Sequence, residues 1–197
     1  MKNFIKVLTF GLMVAFVFTS CAKQPTQQMD TAKASIEAVA QEKGDIYVKD
    51  ELKKLNDDLI LANDEVAAQS KKFFKKFGKS KEMLAKVATD ADAAKALIPA
   101  RIEEAKNAAV QAQTEAKAAL DEAKALLETA PKGKGTKADI EAMKADLAGI
   151  ETSFADVQVA IDAQDFLGAK DKAVVVKDKA VVIADQVKAA IEKVKGK

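Results

Sequence analysis

The chain has 197 residues, with 32 basic side chains against 30 acidic ones, no histidine, no tryptophan and a single cysteine. Balanced charge gives no reason to expect a nucleic-acid partner, since neutralising phosphates takes clustered Lys and Arg. Histidine-based triads, His/Cys zinc sites and internal disulfides have no residues to build them, so the chain is expected to be non-enzymatic and to hold no metal or cofactor.

Residues 1–20, MKNFIKVLTFGLMVAFVFTS, place Lys2 and Lys6 ahead of an apolar run from Val7 to Phe18. That run is too short for a membrane-spanning helix, which takes roughly 20 residues, and reads as a secretory signal that is removed. The sole cysteine follows in Phe18-Thr19-Ser20-Cys21, which resembles the lipobox of bacterial lipoproteins. The resemblance implies cleavage before Cys21, acylation of its thiol, and a covalent lipid as the only non-protein group. The competing reading is an ordinary signal peptide with an incidental thiol. Ala22, where an aspartate would favour inner-membrane retention, implies the periplasmic face of the outer membrane. Loss of Lys2 and Lys6 with the leader leaves the mature chain formally neutral. Residues 21–25 are a short tether between lipid and the first helix.

Alanine, lysine, glutamate and aspartate dominate and aromatics are only 5 %, so an all-α chain is expected. A first helix runs from about Thr26 to Glu42, carrying Met29, Ala32, Ile36 and Val39 up to a turn at Gly44-Asp45. A second helix places Leu52, Leu55, Leu59, Ala62, Val66 and Phe73 in one heptad phase and is predicted to end at Phe77-Gly78. Within it, Lys71-Lys72-Phe73-Phe74-Lys75-Lys76 reads as a solvated helix face with two core phenylalanines; a membrane-surface patch is the alternative.

The longest element is predicted from about Ser80 to Thr129, roughly 75 Å at 1.5 Å per residue. Leu84, Ala88, Ala91, Lys95, Ile98, Ile102, Ala105, Ala109, Ala112, Ala116, Ala119, Ala123, Leu126 and Ala130 keep one heptad phase through Pro99. A helix that stopped at the proline and restarted would have no reason to keep phase, so one helix kinked at Pro99 is expected. Asp90-Ala91-Asp92 lacks the further acids and the glycine of a calcium loop and reads as a solvated face.

Residues 130–136 contain the breaker cluster Pro131-Lys132-Gly133-Lys134-Gly135-Thr136, with Thr136 a plausible N-cap. It fails as a phosphate loop: Gly135 stands where Ser or Thr would follow Gly-Lys, Glu128 occupies the upstream glycine position, and a helix precedes it. From 137 to 195 two further seams form a helical hairpin about Ala163-Gln164-Asp165: Ile140, Met143, Leu147, Ile150, Phe154, Val157 and Ile161, then Phe166, Ala169, Ala173, Val176, Ala180, Ile183, Val187, Ala190 and Val194. The second helix repeats itself, KDKAVVV then KDKAVVI over residues 170–183, one heptad apart. At about 100° per residue the valine triplet wraps the helix, so Val175 and Val182 point away from the seam. Either a further neighbour covers them within the monomer, or they form an interaction surface.

The predicted fold is therefore all-α: an elongated antiparallel helical bundle or coiled coil around the long helix, ending in the hairpin. The start Cys21-Ala22-Lys23-Gln24-Pro25-Thr26, the turn Gly44-Asp45-Ile46-Tyr47-Val48 and the loop Ala130-Pro131-Lys132-Gly133-Lys134-Gly135-Thr136 together resemble a family of alanine-rich bacterial lipoproteins with a domain of unknown function. That resemblance carries no activity. The expected role is a non-enzymatic, structural or protein-interaction one in the cell envelope: the membrane is held through the lipid anchor and a periplasmic protein is the partner. Alternatives are a linker joining outer membrane to peptidoglycan through the final residue, Lys197, and a lipid- or ligand-binding bundle.

Overall fold

A computed structural model describes residues 23–130 and 137–195. The leader, Cys21, the loop 131–136 with Thr136, and Lys197 lie outside the described residues. Among the described residues the chain forms six helices and no strand: α1 (Thr26–Gln41), α2 (Gly44–Tyr47), α3 (Lys49–Ser70), α4 (Gly78–Thr129), α5 (Lys137–Asp162) and α6 (Phe166–Lys195). The 52-residue α4 passes through Pro99 without interruption, as the unbroken heptad phase predicts. It contributes to two compact units, which divide after Pro99.

In the first unit α1 runs into a tight connection. Lys43 adopts the left-handed conformation (φ 67°), and the chain then passes so close to α1 that a Cβ on Gly44 would collide with the carbonyl and the Cγ1 of Val39. Glycine is needed here because of that approach. Beyond the single turn of α2 and the buried Val48, α3 returns along α1. The first part of α4 lies antiparallel to α3, since Glu65 pairs with Lys79 at 3.3 Å and Lys54 with Asp90 at 3.9 Å. Lys95 reaches Glu42 at 2.8 Å, at the end of the bundle where α1 and α3 are joined. The core is Ala32, Ile36, Val39, Val48, Leu55, Ala62 and Val66, facing Phe77, Leu84, Val87, Ala91, Ala94 and Ile98.

One sequence expectation is overturned in this unit. The second long helix ends at Ser70, not at Phe77-Gly78, and Phe73 and Phe74 are not core residues. Residues 71–77 form an irregular connection in which Phe73 is 93 % and Phe74 75 % exposed, while Phe77 is 3 % exposed. Phe77 fills the core at the start of α4, and its carbonyl accepts a bond of 3.0 Å from the buried Ser80 hydroxyl. Continuing the heptad count past Val66 put Phe73 in a seam that the backbone had already left.

The second unit comprises α4 from Ala100, with α5 and α6. Gln113 bonds Gln158 at 2.9 Å and Lys124 reaches Glu151 at 3.2 Å, so α5 runs antiparallel to α4. Lys177 reaches Glu115 and Lys188 reaches Glu122, so α6 runs parallel to it. Gln164 turns the hairpin in the left-handed conformation (φ 58°), and the Asp165 N–H donates to the Ala160 carbonyl at 2.9 Å, closing the C-terminus of α5. Asp165 then caps α6, its carboxylate accepting the Gly168 N–H at 3.1 Å. The predicted α6 seam is buried from Phe166 to Val187, then thins to the half-buried Ala190 and the exposed Val194.

The buried face of α4 departs from the predicted seam at several positions. Val87, Ala94 and Leu127 are buried where the heptad count named Ala88, Lys95 and Leu126, which are half-buried, as is Ile102; Leu120 is buried beside Ala119. A helix packed against two neighbours needs a wider apolar stripe than the two-helix seam of a coiled coil. Alanine buries little area, so Val87, Leu120 and Leu127 supply apolar burial that the narrow positions Ala109, Ala116 and Ala123 do not.

Candidate interaction surface

Catalytic chemistry of the carboxylate type would require acids brought together away from water. Asp90 and Asp92 do not converge: Ala91 between them is buried, Asp90 bonds Lys86 and lies near Lys54, and Asp92 is exposed. The perturbed titratable groups sit in surface pairs. Glu65 is held below the ordinary carboxylate range by the Gln69 amide and by Lys79, and Lys86 is raised by its bond to Asp90. Among the described residues no cluster of three or more His, Cys, Asp or Glu is placed to hold a metal, and no helix is long and apolar enough to cross a membrane.

A groove of about 670 Å³ runs between α5 and α6. On α5 its wall is Ala145, Gly149 and Ser153, spaced four residues apart on one helix face. On α6 it is lined by Val182, Ile183 and Gln186, with Asp178 and Lys179 toward one end. A second stretch of about 360 Å³ shares Ser153 and Lys179 with it and adds Asp156, Asp171, Lys172, Val175 and Val176. The two valines singled out by the heptad repeat therefore line adjoining stretches of one helix–helix groove.

Their exposure separates them from the seam. Val175 is 52 % and Val182 54 % exposed, whereas Val176 and Ile183, one residue further along, are buried. Gly149 deepens the groove: open space surrounds the position its Cβ would take. Sequence reasoning found the valines but not the small-residue wall opposite. Gly149 and Ser153 carry no hydrophobic signal, and only the packing of α5 against α6 places them across from Val182. Cys21 and Lys197 lie outside the described residues.

No family model, no curated protein and no solved structure matches the chain.

Proposed function

We propose that this protein is a lipoprotein, held by acyl chains on Cys21 at the periplasmic face of the outer membrane, with a non-enzymatic interaction role in the envelope. The observation that carries this reading is the lone cysteine behind a short apolar leader, in the context Phe18-Thr19-Ser20-Cys21. Two or more acyl chains hold a protein at a bilayer almost permanently, at about 0.8 kcal/mol for each buried methylene. Resemblance to alanine-rich bacterial lipoproteins points the same way, and the absence of histidine from the sequence supports a role without catalysis.

The interaction surface is the α5/α6 groove. Val175 and Val182 offer apolar contact area, the Ala145, Gly149 and Ser153 wall lets another backbone approach closely, and Asp171, Lys172, Asp178 and Lys179 keep the rim soluble. A periplasmic protein presenting a helix is the occupant that fits this shape.

The test has two parts. Mass spectrometry of the N-terminal peptide from the purified protein should give a chain beginning at acylated Cys21, and Cys21→Ser should leave an unprocessed or soluble species. A photo-crosslinker placed at Val182 in intact cells should capture one protein in a defined band. Cleavage elsewhere than before Cys21 overturns the anchor; no crosslink at Val182 in a correctly anchored protein overturns the groove.

A further inference from the structure

We infer that the connection between α3 and α4, Lys71-Lys72-Phe73-Phe74-Lys75-Lys76, is a membrane-docking loop that inserts two phenyl rings among anionic phospholipid headgroups beside the lipid anchor. All six residues are exposed. Phe73 and Phe74 stand out of the fold with their rings 5.0 Å apart, edge to face, and form a paired apolar tip. Two lysines precede the tip and two follow it. Aromatic rings are well suited to the boundary between headgroups and acyl chains, and lysines beside them are attracted to an anionic leaflet. An apolar tip collared by four cations fits a negatively charged lipid surface better than an apolar protein pocket, where burying the lysines would be costly.

Position in the fold supplies the independent argument. The connection at 42–48 joins α1 to α3, and the Glu42–Lys95 pair lies at that end of the first unit. The start of α1 at Thr26 and the end of α3 at Ser70 therefore share the opposite end. The Lys79–Glu65 bridge brings the start of α4 there too. Pro25 is buried, so the chain entering α1 is tied to this end. Four residues from Cys21 to Pro25 span at most about 14 Å. An acylated Cys21 thus keeps the loop's end of the bundle next to the bilayer, where the loop orients the protein. The orienting role rests on the anchored-lipoprotein reading; the loop's own affinity for anionic lipid does not.

The chain contains no tryptophan, so Phe74→Trp provides a single indole at an exposed position. The full-length gene is expressed with its leader, and the exported protein is purified and combined with phosphatidylcholine vesicles, with or without phosphatidylglycerol, made with brominated acyl chains. The expected result is a blue-shifted emission quenched by bromine in the phosphatidylglycerol vesicles, lost when Lys71, Lys72, Lys75 and Lys76 are all changed to Gln. Ile46→Trp, half-exposed at the far end of the same unit, is expected to stay unquenched. Circular dichroism confirms that each variant is folded. The mass of the N-terminal peptide, read on the same preparation, judges the anchor separately. An acylated protein whose residue 74 stays water-exposed overturns the loop and leaves the anchor standing. A non-acylated protein quenched at residue 74 on anionic vesicles removes the anchor and sustains the loop. Equal quenching at 46 and 74, equal quenching in both lipids, or a lipid-independent blue shift that grows with protein concentration and reports a second copy, each overturns the proposal.

Discussion

Lys177 Nζ lies 2.7 Å from Glu115 Oε2 and ties α6 to α4 across 62 residues of sequence. The bond from Lys177, with a second from the Gln111 amide, holds the Glu115 carboxyl below the ordinary carboxylate range, and the same bond to Glu115 raises Lys177. A depressed carboxyl contributes stability that is complete above its unfolded pKa and lost as pH falls through the folded one; a raised ammonium contributes below its unfolded pKa and loses it as pH rises through the folded one. Both side chains are exposed enough for salt to screen them. Melting curves against pH should therefore show a shallower acid limb for Glu115→Gln than for the wild type, with the difference shrinking in high salt. Identical acid limbs at low salt would show that the pair contributes nothing to the packing of α6.

The valine positions separate core from surface. Val175→Lys with Val182→Lys changes two half-exposed residues and should shift stability by no more than about 0.5 kcal/mol per site, while abolishing the crosslink from a photo-crosslinker placed at Gln186 in the same groove. Val176→Lys with Ile183→Lys forces two ammonium groups into buried positions and should cost more than about 4 kcal/mol, enough to unfold the hairpin. Thermal melts of the two double variants decide it. Equal losses would place all four residues in the core.

Backbone conformation in the turns and groove predicts stability changes of both signs. Gln164 pays for a left-handed conformation that glycine adopts freely, so Gln164→Gly should stabilise by about 0.5–1 kcal/mol. Gly149→Ala, inside α5 with open space around its Cβ, should stabilise by a similar amount, about 0.5–1 kcal/mol. Gly44→Ala meets the Val39 carbonyl and should destabilise by about 1–3 kcal/mol. Urea titrations of the three variants test these signs, and a neutral Gly44→Ala would mean that the α1–α2 connection gives way readily.

Pro99 is exposed inside the continuous α4. Alanine there restores a backbone donor toward the Lys95 carbonyl and removes the ring clash, so Pro99→Ala should raise the melting temperature, by up to about 3 kcal/mol in stability. A marked loss would show that the chain requires the irregularity that proline imposes.

Much of the helical framework was legible without coordinates, for a physical reason. A seven-residue apolar repeat such as Ala173, Val176, Ala180, Ile183 and Val187 buries one face against any helical neighbour, so the helix and its inward face follow from the period alone. The phase carried through Pro99 worked likewise, because a shared register is evidence of one backbone whatever packs on it. Periodicity is silent on where a helix stops and how many neighbours it has. Heptad phase assigned Phe73 to the core, but α3 ended at Ser70 and Phe77 took the buried place, turning two of the most apolar side chains in the sequence outward. The shift of burial on α4 from Ala88, Lys95 and Leu126 to Val87, Ala94 and Leu127, and the small-residue wall at Gly149 and Ser153, likewise appear only once the helices pack. Local sequence determined which residues turn together on a helix; tertiary packing decided which of those faces is covered, because burial is a property of neighbours and not of the side chain that is buried.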